Sequence, residues 1–234
     1  MLHKTRAIVL HHIKYGETSL IVTFYTEQFG RITCMVNGAR AKKSKTPVTL
    51  FQPLGLLEID MYHKPGKEIQ RLKDACCPQH YTSLPVSITK STIALFLAEV
   101  LFLSLKEEDG NPKLFTFLFH AFQLLDNMET GVANFHLWFL LHLTRYLGVS
   151  VLDHATGNEN LNQTDNQLFA NVSMQVREAL KIFLNNPQGP PESVLLTHVD
   201  RTELLEAIIR YYAIHIDGFS RIKSYAVLKE IFKS

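Results

Sequence analysis

The chain has 234 residues, 46% hydrophobic and 20% charged, with a formal net charge of +2. That length and composition can bury a core without disulfide or metal staples, and they exclude a disordered chain, a collagen-like repeat and a disulfide scaffold. The small net charge hides an asymmetry: residues 1–80 carry 12 Lys and Arg against 6 Asp and Glu, and residues 81–234 carry 12 against 16. A basic part joined to an acidic part suggests a polyanion-binding module attached to something else.

The first 75 or so residues read as strands. Arg6–Ile13 and Ser19–Thr26 are rich in β-branched and aromatic residues, with a turn at Lys14-Tyr15-Gly16-Glu17 between them. Gln28-Phe29-Gly30 turns the chain into Arg31–Val36; Leu54–Met61 and Ile69–Leu72 follow, separated by Lys64-Pro65-Gly66-Lys67. Five short strands with Gly/Pro turns suit a small Greek-key barrel, of which the oligonucleotide-binding OB fold is one. Between the third and fourth strands, Gly38-Ala39-Arg40-Ala41-Lys42-Lys43-Ser44-Lys45 reads as an exposed loop whose long cationic side chains can reach successive phosphates.

After Pro85 the period changes. Apolar residues at 93, 96, 97, 100 and 101, then at 176, 179, 180, 183 and 184, and at 204, 205, 208, 209 and 212, fit helical spacing. Leu114–Leu125 and Val132–Leu147 are apolar nearly all round and are expected to be central helices. Asp200 and Glu203 are spaced as a capping box at the start of the last of the periodic helices. Residues 153–167 are polar and aperiodic, as in a long surface loop.

No phosphate-binding Gly-rich loop, dinucleotide fingerprint, His-Glu-x-x-His helix or nucleophile elbow is present, and the carboxylates are scattered. A binding protein is expected rather than an enzyme. Cys34, Cys76 and Cys77 give neither a disulfide framework nor spaced zinc pairs, and the histidines His136 and His142, six apart on a helix, point in different directions. No secretory signal is expected behind Met1–Arg6, and the most apolar stretch, Ile93–Leu105, is shorter than the roughly 20 residues of a membrane span.

Several blocks together resemble one family. They are Thr5-Arg6-Ala7-Ile8-Val9-Leu10, Tyr15-Gly16-Glu17-Thr18-Ser19, Val22–Thr26 with Phe29-Gly30-Arg31, Val36-Asn37-Gly38-Ala39-Arg40 with Ser44-Lys45, and Phe51-Gln52-Pro53-Leu54. This run resembles the bacterial recombination mediator family RecO, with Asn37 in place of the usual Lys. Phe135–Leu141 with Leu147-Gly148, and Lys223-Ser224, match the helical part of the family more weakly.

The resemblance implies an α+β, two-domain chain: an OB-fold β-barrel over 1–80 and an all-α helical domain over 81–234, with a polar loop near 153–167. It implies DNA repair and recombination: binding of single- and double-stranded DNA, strand annealing, and loading of RecA with RecR onto DNA coated by single-stranded DNA-binding protein (SSB). It implies a cytoplasmic, nucleoid-associated setting with no membrane. Many relatives carry a four-cysteine zinc module after the Leu-Gly step. Here Val149–Asn166 has no cysteine, so neither zinc nor another cofactor is expected.

Arg31, Arg40, Lys42, Lys43 and Lys45 are the expected DNA-binding cations, and Phe24, Tyr25 and Phe29 are candidate stacking residues. Strand alternation puts Phe24 and Tyr25 on opposite faces, so at most one can meet DNA. The resemblance also places a contact for the short, acidic SSB tail in the helical part. Holding a terminal carboxylate beside an apolar residue needs a cation at the rim of an apolar pocket, and Arg145, Arg177, Arg210 and Arg221 are the candidates. The competing expectation is a protein-interaction scaffold built on the same barrel, with the basic loop serving only solubility.

Overall fold

The computed structural model describes residues 1–151, 169 and 171–232; the polar segment 153–167 lies outside them. The first five elements are strands: β1 (Leu2–Tyr15), β2 (Ser19–Thr26), β3 (Gly30–Val36), β4 (Leu56–Tyr62) and β5 (Ile69–Cys76). Six α-helices are described: α1 (Ile88–Ser104), α2 (Pro112–Asn127), α3 (Phe135–Tyr146), α4 (Met174–Asn185), α5 (His198–His215) and α6 (Ser224–Ile231).

The strands close into a barrel in the order β1-β2-β3-β5-β4, the connectivity of an OB fold. β1 is long enough to serve two partners: Leu2–Ile8 pair with β4 and Ala7–Tyr15 with β2, with a register shift at Val9/His11. Such a bulge lets one strand bend from one side of the barrel to the other. Closure depends on three parallel pairs, Thr33–Ile69, Cys34–Gln70 and Met35–Arg71. Alternation sends Val9, Leu20, Val22, Phe24, Ile32, Cys34, Ile59 and Met61 inward, where they pack with Phe51 into one core.

Two compact units divide the chain: Met1–Val86 with Ala94–Gln123, and Ser87–Ile93 with Leu124–Ser234. The first therefore holds more than the barrel. Arg6 makes a bidentate pair with Glu27 (2.9 and 2.6 Å) and lies over the rings of Phe115 and Phe119 on α2.

In the second unit α3 is the central helix, buried at every position from Phe135 to Thr144. Several polar groups on it are satisfied inside. Trp138 Nε1 donates to Asn186 O (2.7 Å), Tyr212 Oη donates to Leu140 O (2.7 Å), and His142 Nε2 lies 2.9 Å from Phe183 O. The expected capping box is displaced by three residues. Thr197 is the N-cap of α5 and Asp200 its reciprocal partner, because the helix starts at His198 rather than at Arg201.

His136 is 1% exposed, stacks on Phe232, and is pushed down to about 3 by burial, with Arg201 adding to the effect. A histidine kept neutral in the fold binds a proton only on unfolding, so its contribution is complete above about pH 6.5 and is lost as the pH falls toward 3. Denaturant unfolding is expected to show about 2 kcal/mol less stability at pH 5 than at pH 6.5. His136→Phe removes the larger part of that slope, whatever its absolute stability.

Candidate nucleic-acid interface

Of the twelve Lys and Arg in residues 1–80, four are committed to structure. Lys4 pairs with Glu58 and Arg6 with Glu27. Arg31, expected to meet DNA, is half-buried instead: its Nη1 donates to Phe102 O (2.8 Å) and Leu105 O (2.9 Å), and the guanidinium lies 4.5 Å from the Phe102 ring centroid. These carbonyls close the C-terminal end of α1, where an arginine is favoured by the exposed helix carbonyls. Arg40 also serves the fold, its Nη2 donating to Gly16 O and its backbone N–H to Thr18 O (2.9 Å), which ties the basic loop to the β1–β2 turn.

Lys42, Lys43 and Lys45 are exposed as expected and have no carboxylate partner among the described residues. The loop reaches them because Ala39 and Thr46 are buried on either side and anchor its ends.

The aromatic expectations divide. Phe24 is in the barrel core at 0% exposure. Tyr25 faces the other way, as alternation requires, yet is only 2% exposed, and burial pushes its hydroxyl up to about 12. The outer face is covered there by the chain between α1 and α2, where Arg31 N–H donates to Glu107 O (2.8 Å). Neither ring is available for stacking. Phe29 is half-buried between His3 (5.1 Å, edge-on) and His63 (4.6 Å, tilted by 33°) and lines an open cavity.

That cavity, about 510 Å³, is the first of three along the β3–β5 junction. It shares Lys67 and Gln70 with a second of about 310 Å³, which shares Asn37 and Arg71 with a third of about 300 Å³ reaching Thr46, Tyr62 and Lys73. The three form a groove that ends where the basic loop begins and ends, at Asn37 and Thr46.

Besides Arg31 and Lys106, which also line the first cavity, the groove has four cations not singled out in the sequence, Lys64, Lys67, Arg71 and Lys73, and each is exposed. Alternation on β5 turns Gln70 and Leu72 inward and Arg71 outward; a register shift between Asp60/Asp74 and Met61/Leu72 leaves Lys73 as an extra residue that also faces out. Gln70, 5% exposed, fixes the loop that carries the lysines. Its Oε1 accepts from Lys64 N–H (2.9 Å), and its Nε2 donates to Lys64 O (3.0 Å) and Lys67 O (2.7 Å).

Arg31→Ala is expected to lower stability by about 2 kcal/mol, since two carbonyls lose a charged donor. Although Arg31 also lines the first cavity, its guanidinium is held by those carbonyls, so the salt dependence of DNA binding should change by less than one exposed lysine's share. Denaturant unfolding and binding titrations at two or more salt concentrations check the two halves.

In the second unit the four candidate arginines sit on four separate elements. Arg145 is exposed in the last turn of α3, Arg177 in the first turn of α4, Arg210 on α5 at 3.9 Å from Glu206, and Arg221 in a short 3-10 turn. Arg201, which no sequence pattern marks, is half-buried; its Nη1 donates to Leu196 O (2.6 Å) and its guanidinium lies over Phe232. Met174, Leu195 and Val199 are exposed (81, 82 and 71%) at the starts of α4 and α5, where Gln175 Nε2 donates to Leu195 O (3.4 Å).

Among the described residues no group of three or more His, Cys, Asp or Glu is placed to hold a metal ion, and no helix is long and apolar enough to cross a membrane. The three cysteines are free thiols.

Residues 1–80 match the family model for the recombination protein O N terminal, and residues 85–226 that for its C terminal. The chain is similar to the DNA repair protein RecO of Bacteroides fragilis, 39% identical over 99% of this chain and all of the relative. It is similar to those of Christiangramia forsetii, at 36%, and Phocaeicola vulgatus, at 35%, with the same coverage.

Proposed function

Because the chain belongs to the RecO family of DNA repair proteins, we propose that it is a recombination mediator that binds DNA along the barrel groove. It takes single- and double-stranded DNA, anneals complementary strands, and with RecR helps load RecA onto SSB-coated single strands in the cytoplasm, at the nucleoid. The supporting observation is the set of seven exposed cations without carboxylate partners, Lys42, Lys43, Lys45, Lys64, Lys67, Arg71 and Lys73, along one groove and the loop beside it. A shallow basic groove with aromatic rings at one end suits a single strand. Annealing needs no catalytic residue; it needs two strands held with their repulsion reduced and their base edges free to pair. The protein therefore acts by binding and is not an enzyme.

The exposed apolar patch at the starts of α4 and α5 suits the SSB tail. An apolar terminal residue covers Met174, Leu195 and Val199, and its carboxylate pairs with Arg177, one turn along α4 from Met174. Gel-shift titration of single-stranded DNA, bare and SSB-coated, tests the reading: the protein should shift both, and a protein that shifts neither is not a mediator of this kind. Calorimetric titration with the tail peptide should show Arg177→Ala weakening it by about 1 kcal/mol at unchanged DNA affinity. Wild-type binding by Arg145→Ala, Arg177→Ala, Arg210→Ala and Arg221→Ala alike would move the tail contact elsewhere.

A further inference from the structure

We propose that the cavity at the Phe29 end of the groove reads bases, accepting from a single strand a base with an exocyclic amine (cytosine, adenine or guanine) in preference to thymine. This rests on the groove's being a single-strand site.

Three kinds of side chain line the cavity. Lys64 and Lys67 stand on a loop that buried Gln70 holds by three hydrogen bonds. The rings of Phe29 and His63, 4.6 Å apart, offer an aromatic surface. The lining also holds the carboxylates Glu68, Glu108 and Asp109, with Lys106 just before the last two in the chain. A groove that only tracked phosphates would be weakened by acids in its wall.

The segment carrying Glu108 and Asp109 is held in place by backbone packing. A Cβ on Gly30 would lie 2.5 Å from Asp109 O and 2.6 Å from Glu107 O, and one on Gly110 would lie 2.5 Å from Gln28 O. The acidic segment is thus pressed against the β2–β3 turn with no room for side chains between, and the Arg31 N–H bond to Glu107 O fixes its register.

A cavity of about 510 Å³ is of the size that takes a small ligand. With a base against the Phe29–His63 ring pair and its phosphate toward the lysines, the carboxylates face the base edge. Carboxylates accept from an exocyclic amine such as cytosine N4; thymine has the carbonyl O4 at that position, and its one donor on that edge, N3–H, lies between two carbonyl oxygens that repel a carboxylate. The cations hold the strand and the acids sort the base.

Fluorescence anisotropy with labelled thymidine oligomers of about 20 nucleotides, longer than one OB fold covers, tests this without a variant. Replacing one central thymidine by deoxycytidine should tighten binding about tenfold, the low end of what one hydrogen bond to a charged acceptor contributes. Replacement by deoxyadenosine should act in the same direction. In the Glu108→Ala, Asp109→Ala double variant the two oligomers should bind alike, and the thymidine oligomer more tightly than to wild type, since repulsion from its phosphates is relieved. Equal, salt-sensitive binding of both oligomers by wild type would overturn the base reading and leave the groove standing. A persistent preference in the double variant would also overturn it, and no binding of either oligomer would overturn both.

Discussion

Replacing Lys42, Lys43, Lys45, Arg71 and Lys73 together by Ala is expected to flatten the slope of log K against log salt for single-stranded DNA by about 3–4 units. Each phosphate contact on a single strand carries about 0.7 of slope through counterion release. Over a fourfold range of salt that is a difference of about a hundredfold in how far affinity falls. All five side chains are exposed, so the variant should fold as wild type does. Arg31 and Arg40 are left intact because their guanidinium groups hold backbone carbonyls. Titrations against oligomers of unrelated sequence should lose affinity to the same degree, since backbone contacts carry no sequence information. An unchanged slope would remove the groove and loop from the binding surface. A wild-type slope near zero would favour the scaffold reading.

Gly30→Ala is expected to cost about 3 kcal/mol or more. Gly30 has φ +59°, a conformation that costs any other residue about 1 kcal/mol or more. The added Cβ would also meet two backbone oxygens of 107–109 at 2.5 and 2.6 Å, and backbone cannot swing aside as a flexible side chain does. The turn and the acidic segment must separate, and the Arg31 N–H to Glu107 O bond goes with them. Gly38 gives the control: its φ is +70° but nothing lies within 4 Å of a Cβ there, so Gly38→Ala should show only the conformational cost of about 1 kcal/mol. Parallel urea unfolding of the two variants separates strain from collision.

The barrel was legible because its signals are local. Alternation marked all five strands, and β2 runs over the Ser19–Thr26 span that its β-branched and aromatic residues predict. The basic loop was legible as a run of cations between two strands. What escaped was set by partners distant in sequence. Nothing near Arg31 reveals that it meets the carbonyls of Phe102 and Leu105, more than 70 residues on. Tyr25 reads as an outward residue, and it is outward from the barrel; the segment that covers it comes from beyond α1. Arg71 and Lys73 looked like ordinary strand charges, because the short parallel closure between β3 and β5 that puts them beside a groove leaves no local mark. Ending β5 at Leu72 in the sequence hid Lys73 as well, since a bulge breaks the alternation there. In the helical part, the spacing at 200 and 203 imitates a capping box, and the cap three residues earlier is visible only in the bonds between Thr197 and Asp200.

The central claim is that DNA lies along the β3–β5 groove and the loop that borders it. Hydrogen exchange with and without a thymidine oligomer tests it most directly, because the loops at 37–47 and 63–68 contain amides outside the strand ladders. Exchange is expected to slow in both loops on binding, with the helical segments from 171 to 232 unchanged. Slowed exchange confined to those helical segments, with both loops exchanging as in the free protein, would contradict it.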